Sequence, residues 1–174
     1  MVFTYFRGML MRTLGNSPLK LVLAMCSSVA FLLPASVYAD FQEGWAAYEN
    51  GDYATAFAEW EPLAEQDNAA AQSNLGFLNA NGQGVLQDDS EAVKWFRLAA
   101  EQGDADAQSN LGVMYFIGEA VLQDYARGHM WLNIAAVNGN SKAGDARNRI
   151  TDSMTPSQIE QAQEMARNCL NSGY

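Results

Sequence analysis

Ala71-Gln72-Ser73-Asn74-Leu75-Gly76 recurs unchanged as Ala107-Gln108-Ser109-Asn110-Leu111-Gly112, 36 residues later. The register holds without a gap through the residues that follow. Gly82 matches Gly118, and Val85-Leu86-Gln87-Asp88 matches Val121-Leu122-Gln123-Asp124. Trp95 matches Trp131, Ala99-Ala100 matches Ala135-Ala136, and Gly103 matches Gly139. Self-similarity at a fixed period of this size marks a stacked-repeat fold.

Each unit reads as two helices. Ala71, Leu75 and Leu78 fall on one helical face, and Gly76 permits close approach of a neighbour. Gly82-Gln83-Gly84 then interrupts the helix. Asp88 followed by Glu91 has the spacing of a capping box for a second helix. Ala92, Phe96, Ala99 and Ala100 form its inward stripe with Trp95, and Gly103 supplies a left-handed end. A hairpin of this size cannot bury its apolar face alone, and stacking copies buries it.

The flanks read as degenerate copies. Phe41 to Asn50 is a first helix with Gly44 in the place of Gly76, and Ala56, Trp60 and Ala64 lie on a second. Trp60 stands 35 residues before Trp95, and is read as the first of a core column Trp60, Trp95, Trp131. Past the second full unit, one helix starts at Ala143. Another opens at Thr155-Pro156-Ser157-Gln158, with Thr155 as cap, and runs to about Leu170. Its polar outer face suits the end of an array. The expected fold is all-α: a right-handed α-solenoid of antiparallel helix pairs, about eight helices. A degenerate first unit spans 40–68, full repeats span 69–104 and 105–140, and capping helices span 141–170.

Ala-x-x-x-Leu-Gly, then Gly-x-Gly-Val, then Ala-x-x-Trp-x-x-x-Ala-Ala and Gly resembles the Sel1-like repeat, a relative of the tetratricopeptide repeat. Three positions depart from it. Asn79 stands where the family usually has Tyr (Tyr115 fits), Ala120 replaces the second Gly, and Gly128 replaces a helical Ala. The resemblance implies an adaptor for protein partners, with the first helix of each pair lining a concave groove. Stepping from the glycines at 44, 76 and 112 places Trp45, Phe77 and Val113 in one column, and Tyr48, Ala80 and Phe116 in another. Ser73 and Ser109 edge the same groove. The candidate partner-binding residues are therefore Trp45, Tyr48, Ser73, Phe77, Ser109, Val113 and Phe116. Aromatic side chains in a groove anchor bound peptides or helices, although packing between helices accounts for such a column as well.

Residues 1–39 are not read as fold material. They hold three basic residues (Arg7, Arg12, Lys20) and no acidic one, then an apolar run from Leu21 to Leu33, then Val37-Tyr38-Ala39. That order is the order of a cleavable secretory signal, and the run is shorter than the roughly 20 residues of a membrane-spanning helix. Leu23-Ala24-Met25-Cys26 resembles a lipobox, but Met25 sits where a small residue is needed. A cleaved signal implies a periplasmic or secreted protein that meets the membrane only before cleavage.

Without residues 1–39 the chain keeps seven of its ten basic residues and all twenty acidic ones, a formal net charge of −13. Such a surface repels nucleic acid and anionic lipid. Cys26 leaves with the signal, so Cys169 is the one remaining cysteine, with no internal disulfide partner.

No catalytic, cofactor-binding or metal-ligating set emerges. His129 is the only histidine, at the repeat position of Val93, and reads as structural or surface. Ser17 and Lys20 have the Ser-x-x-Lys spacing of penicillin-recognising enzymes but lie in the leader. Asp88-Asp89 and Asp104/Asp106 sit at helix starts, where carboxylates cap. The expected function is an exported adaptor, non-enzymatic, a monomer or weak homo-oligomer that binds a peptide or protein. The competing readings are an exported β-lactamase-like or other hydrolase, which related chains with paired cysteines suggest, and a self-associating envelope protein joined through Cys169.

Overall fold

The computed structural model describes residues 33–172, with side chains described from residue 41 onward. Residues 1–32, with Cys26 and the Ser17–Lys20 spacing, lie outside the described residues, so the expected secretory signal is not described beyond residues 33–39. The architecture below is that of the unit Asp40–Tyr174. Eight helices are described: α1 (Leu33–Glu49), α2 (Tyr53–Ala64), α3 (Ala69–Asn81), α4 (Asp89–Glu101), α5 (Ala105–Ile117), α6 (Tyr125–Val137), α7 (Ala143–Thr151) and α8 (Pro156–Ser172). There is no strand among the described residues. No described helix is long and apolar enough to cross a membrane.

The repeat is visible first in the caps. Asn68, Asp104 and Asn140 stand 36 apart, and their side chains accept from the backbone N–H of Ala71, Ala107 and Ala143 at 3.0, 2.8 and 2.9 Å. Asp88 and Asp124 cap α4 and α6 in the same way, both at 2.9 Å. Each such cap stabilises its helix start by about 1 kcal/mol. The box expected at Asp88 closes on one side only: Glu91 turns to Lys94, and the Asp88 N–H donates to the Asn79 carbonyl. The Thr155 box closes on both sides, with Gln158 returning to the Thr155 N–H at 2.9 Å.

Within each pair the two helices meet at a glycine. A Cβ on Gly76 would lie 2.7 Å from the Phe96 ring, and one on Gly112 would lie 2.8 Å from Leu132. Gly44 has the same relation to Trp60, at 2.5 Å. Trp60 therefore belongs with Phe96 and Leu132, at an unbroken spacing of 36, and not with Trp95 and Trp131. Trp60 is buried, with its indole N–H donating to the Phe41 carbonyl at 3.2 Å, whereas Trp95 and Trp131 are half-buried. Gly128 also has a packing reason: a Cβ there would lie 2.9 Å from the Gly112 carbonyl, so its replacement of Ala lets α5 and α6 touch backbone to backbone. Ala120, by contrast, takes φ +55°, the left-handed region where its counterpart Gly84 has φ +74°.

Successive pairs are joined by buried glutamines. Gln72 donates from Nε2 to the Ala64 carbonyl at 3.0 Å, and Gln108 to Ala100 at 2.9 Å, each reaching back to the end of the preceding pair. Each also accepts from the end of its own second helix, Gln102 at 2.7 Å and Asn138 at 3.0 Å. The clamp satisfies a polar group that burial would otherwise penalise. The array ends differently from its body. Both α7, through Ala143 and Ile150, and α8, through Ala166, pack against α6.

Candidate functional site

The first helices of successive pairs line a hollow of about 390 Å³, within the size range of small-ligand and side-chain sites. Its walls are Trp45 and Tyr48 from α1, Ser73, Asn74 and Phe77 from α3, and Asp106, Ser109 and Asn110 from α5. Trp60 forms part of the floor, and Asn140 and Lys142 close the far side.

One end is aromatic. Trp45 stacks on Tyr48 with ring centroids 5.7 Å apart and planes 25° from parallel. Tyr48 meets Trp60 at 5.9 Å and the edge of Phe77 at 6.4 Å. Trp45 keeps 42% of its surface exposed and Phe77 39%, so the cluster presents adjoining apolar ring surface to the hollow. Tyr48 is half-buried and packs on the core around Trp60 and Leu75.

The other end is polar and partly committed. Ser73 donates from Oγ to Asp104 at 3.0 Å, the same oxygen that caps α5. Asn140 donates to Asp106 at 2.7 Å while its own oxygen caps α7. The side chains of Asn74, Ser109 and Asn110 have no hydrogen-bond partner among the described residues. Asn74 and Asn110 are repeat equivalents, so the hollow presents two matching carboxamides, each with a donor and an acceptor to offer.

Five of the seven expected groove residues thus converge: Trp45, Tyr48, Ser73, Phe77 and Ser109. Val113 is 39% exposed but does not line the hollow. Phe116 turns the other way, packing against the Leu132–Ile150 core and the Tyr125 ring at 5.5 Å. Asn74, Asp106, Asn110, Asn140 and Lys142 were not anticipated. Asn74 and Asn110 were nevertheless legible, as the fourth residue of the duplicated hexapeptide.

The reactive side chains lie elsewhere. His129 is buried on α6 with Nδ1 unpartnered, and burial, aided by Arg147, pulls its pKa below the ordinary imidazole value. Cys169 is half-buried on α8 beside Met130 and Ile134, and burial pushes its thiol pKa up. That shift keeps the sulfur in its less reactive form.

A family model described as Sel1 repeat matches residues 69–104 and 105–140. Among solved structures, the chain is similar to a protective antigen present in uropathogenic Escherichia coli strains that displays an SLR fold. The identity is 29% and the TM-score 0.74, over 78% of this chain and 30% of the other. It is also similar to a Sel1 repeat protein from Oxalobacter formigenes, at 30% identity and TM-score 0.58, over 67% of this chain and 51% of the other. This chain therefore spans about a third of the first relative and half of the second. No curated protein matches the sequence. Repeats of this family are generally protein–protein interaction modules. Residues 69–140 are two tandem Sel1 repeats, carried in a helical solenoid of the Sel1-repeat fold.

Proposed function

We propose that this protein is an exported, non-enzymatic scaffold that holds a peptide or protein partner in the hollow between its first helices. The observation that carries the reading is the pairing of exposed aromatic rings (Trp45, Phe77) with carboxamides that have no hydrogen-bond partner among the described residues (Asn74, Asn110) in one concavity. Rings supply apolar anchoring and amides match the donors and acceptors of a polypeptide backbone. Micromolar binding needs about 8 kcal/mol, within reach of a few such anchors. The leader-like order of residues 1–39 supports export to the periplasm or beyond, as does the description of one structural relative as a protective antigen.

Two measurements test it. Mass spectrometry of the protein recovered from a bacterial envelope should give an amino terminus at Asp40; a retained Met1 contradicts cleavage. Purified protein used as bait should capture a specific partner, and a Trp45→Ala/Phe77→Ala variant of equal helicity should lose it. Capture by both baits would remove the hollow from the account.

A further inference from the structure

A second hollow, of about 430 Å³, shares no lining residue with the first. It lies where α4, α5 and the loop into α6 meet, and two arginines converge there on one phenol. Arg97 donates from Nη2 to the Tyr115 hydroxyl at 3.2 Å. The Arg127 guanidinium carbon stands 5.6 Å from the centre of the same ring, and its Nε is 3.3 Å from Asp124. One carboxylate against two guanidiniums leaves a positive excess, in a unit whose formal charge without residues 1–39 is −13.

The repeat does not require this arrangement. The equivalents of Arg97 are Glu61 and Asn133, and the equivalent of Arg127 is Glu91. Tyr115 fixes both cations, and Arg97 has no carboxylate partner among the described residues. Its remaining N–H edge is free for the paired geometry that a planar guanidinium offers a carboxylate. Beside it, Leu122 is 91% exposed.

We propose that this second hollow is an interaction site for a polypeptide segment that presents a single carboxylate next to an aliphatic side chain. The carboxylate enters between Arg97 and Arg127, and the aliphatic group covers Leu122. A polyanionic segment fits less well, because the rest of the surface repels it. Beyond about 8 Å that repulsion is screened at physiological salt, so the local pair decides the outcome for a single charge.

The test is a nuclear magnetic resonance titration of the whole protein with acetyl-Leu-Glu-Leu-amide, with acetyl-Leu-Gln-Leu-amide and inorganic phosphate as parallel arms. The expected result is saturable movement of the Arg97 and Arg127 side-chain N–H signals and the Leu122 methyls with the acidic peptide. The Gln peptide should bind at least tenfold more weakly. Arg97→Gln and Arg127→Gln, both at exposed positions, should retain helicity and each lose at least tenfold. Equal binding of both peptides, binding unchanged in the variants, or no movement at millimolar peptide would each overturn the proposal. Saturation by phosphate with still Leu122 methyls and a silent acidic peptide would overturn it too, in favour of a free-anion site.

Discussion

Gln108 lies fully buried at the joint between two repeats, where its Nε2 donates to the carbonyl of Ala100 at 2.9 Å. Together with the bond from Asn138 to its oxygen, this ties the end of one pair, the start of the next and the end of that next pair into one contact. Gln108→Ala removes both bonds and opens a cavity, so it should cost about 2–3 kcal/mol. Gln102→Ala removes the bonds to Gln72 Oε1 and to the Leu98 carbonyl and leaves the buried Gln72 oxygen without that donor. It should cost about 1–2 kcal/mol, less than Gln108→Ala because Gln102 itself is exposed and opens no cavity. Urea denaturation followed by circular dichroism compares the two.

The pair joint is steric. Gly76→Ala sets a methyl 2.7 Å from the Phe96 ring, and overpacking of that kind costs about 1–3 kcal/mol. Phe96→Ala makes room for it. In a double-mutant cycle the pair should therefore cost clearly less than the sum of the singles. Additive costs would mean that the glycine is not there for contact with Phe96.

Ala120 is a non-glycine residue at φ +55° in a turn whose counterpart is Gly84. Left-handed backbone costs an L-residue about 1–2 kcal/mol, and the added flexibility of glycine in the unfolded chain returns part of that. Ala120→Gly should raise stability by up to about 1 kcal/mol, read as a higher melting temperature.

His129 makes stability fall in mild acid. Its folded pKa is lowered by burial and by Arg147, while the unfolded imidazole titrates near the ordinary value of about 6.5. As pH drops through that value the unfolded state takes up the proton first, so folding weakens. The contribution is fully present above about pH 6.5 and is lost below it, down to the folded pKa. His129→Val, the residue at repeat position Val93, should flatten the dependence of the urea midpoint between about pH 7.5 and 5.5.

What could be read from the sequence was whatever the repeat writes twice. Caps, glycine joints and the two-helix unit recur at 36, and so they were legible. Trp60 was misplaced because only 16 residues separate Gly44 from Trp60, against 20 between Gly76 and Phe96, and because one tryptophan invites alignment with another. Phe116 illustrates a second limit. Counting positions along α5 does not reveal that the helix rotates this residue toward Tyr125 and the following core. Gln72 and Gln108 look like surface residues by polarity, and their burial appears only when the neighbouring carbonyls are in place. Asn140 recurs at the cap spacing of Asn68 and Asp104, but that it and Lys142 reach the hollow from beyond α6 is written in no periodicity.

The claim that the hollow between the first helices holds the partner is tested most directly by crosslinking in place. A benzoylphenylalanine side chain would replace Ser109, on the hollow wall, and in a second variant the exposed Glu164 of α8. After irradiation in cells, the account predicts a discrete adduct from position 109 that vanishes when Trp45→Ala and Phe77→Ala are added, and none from 164. An adduct from 164 alone, or one from 109 that survives loss of both rings, would contradict it.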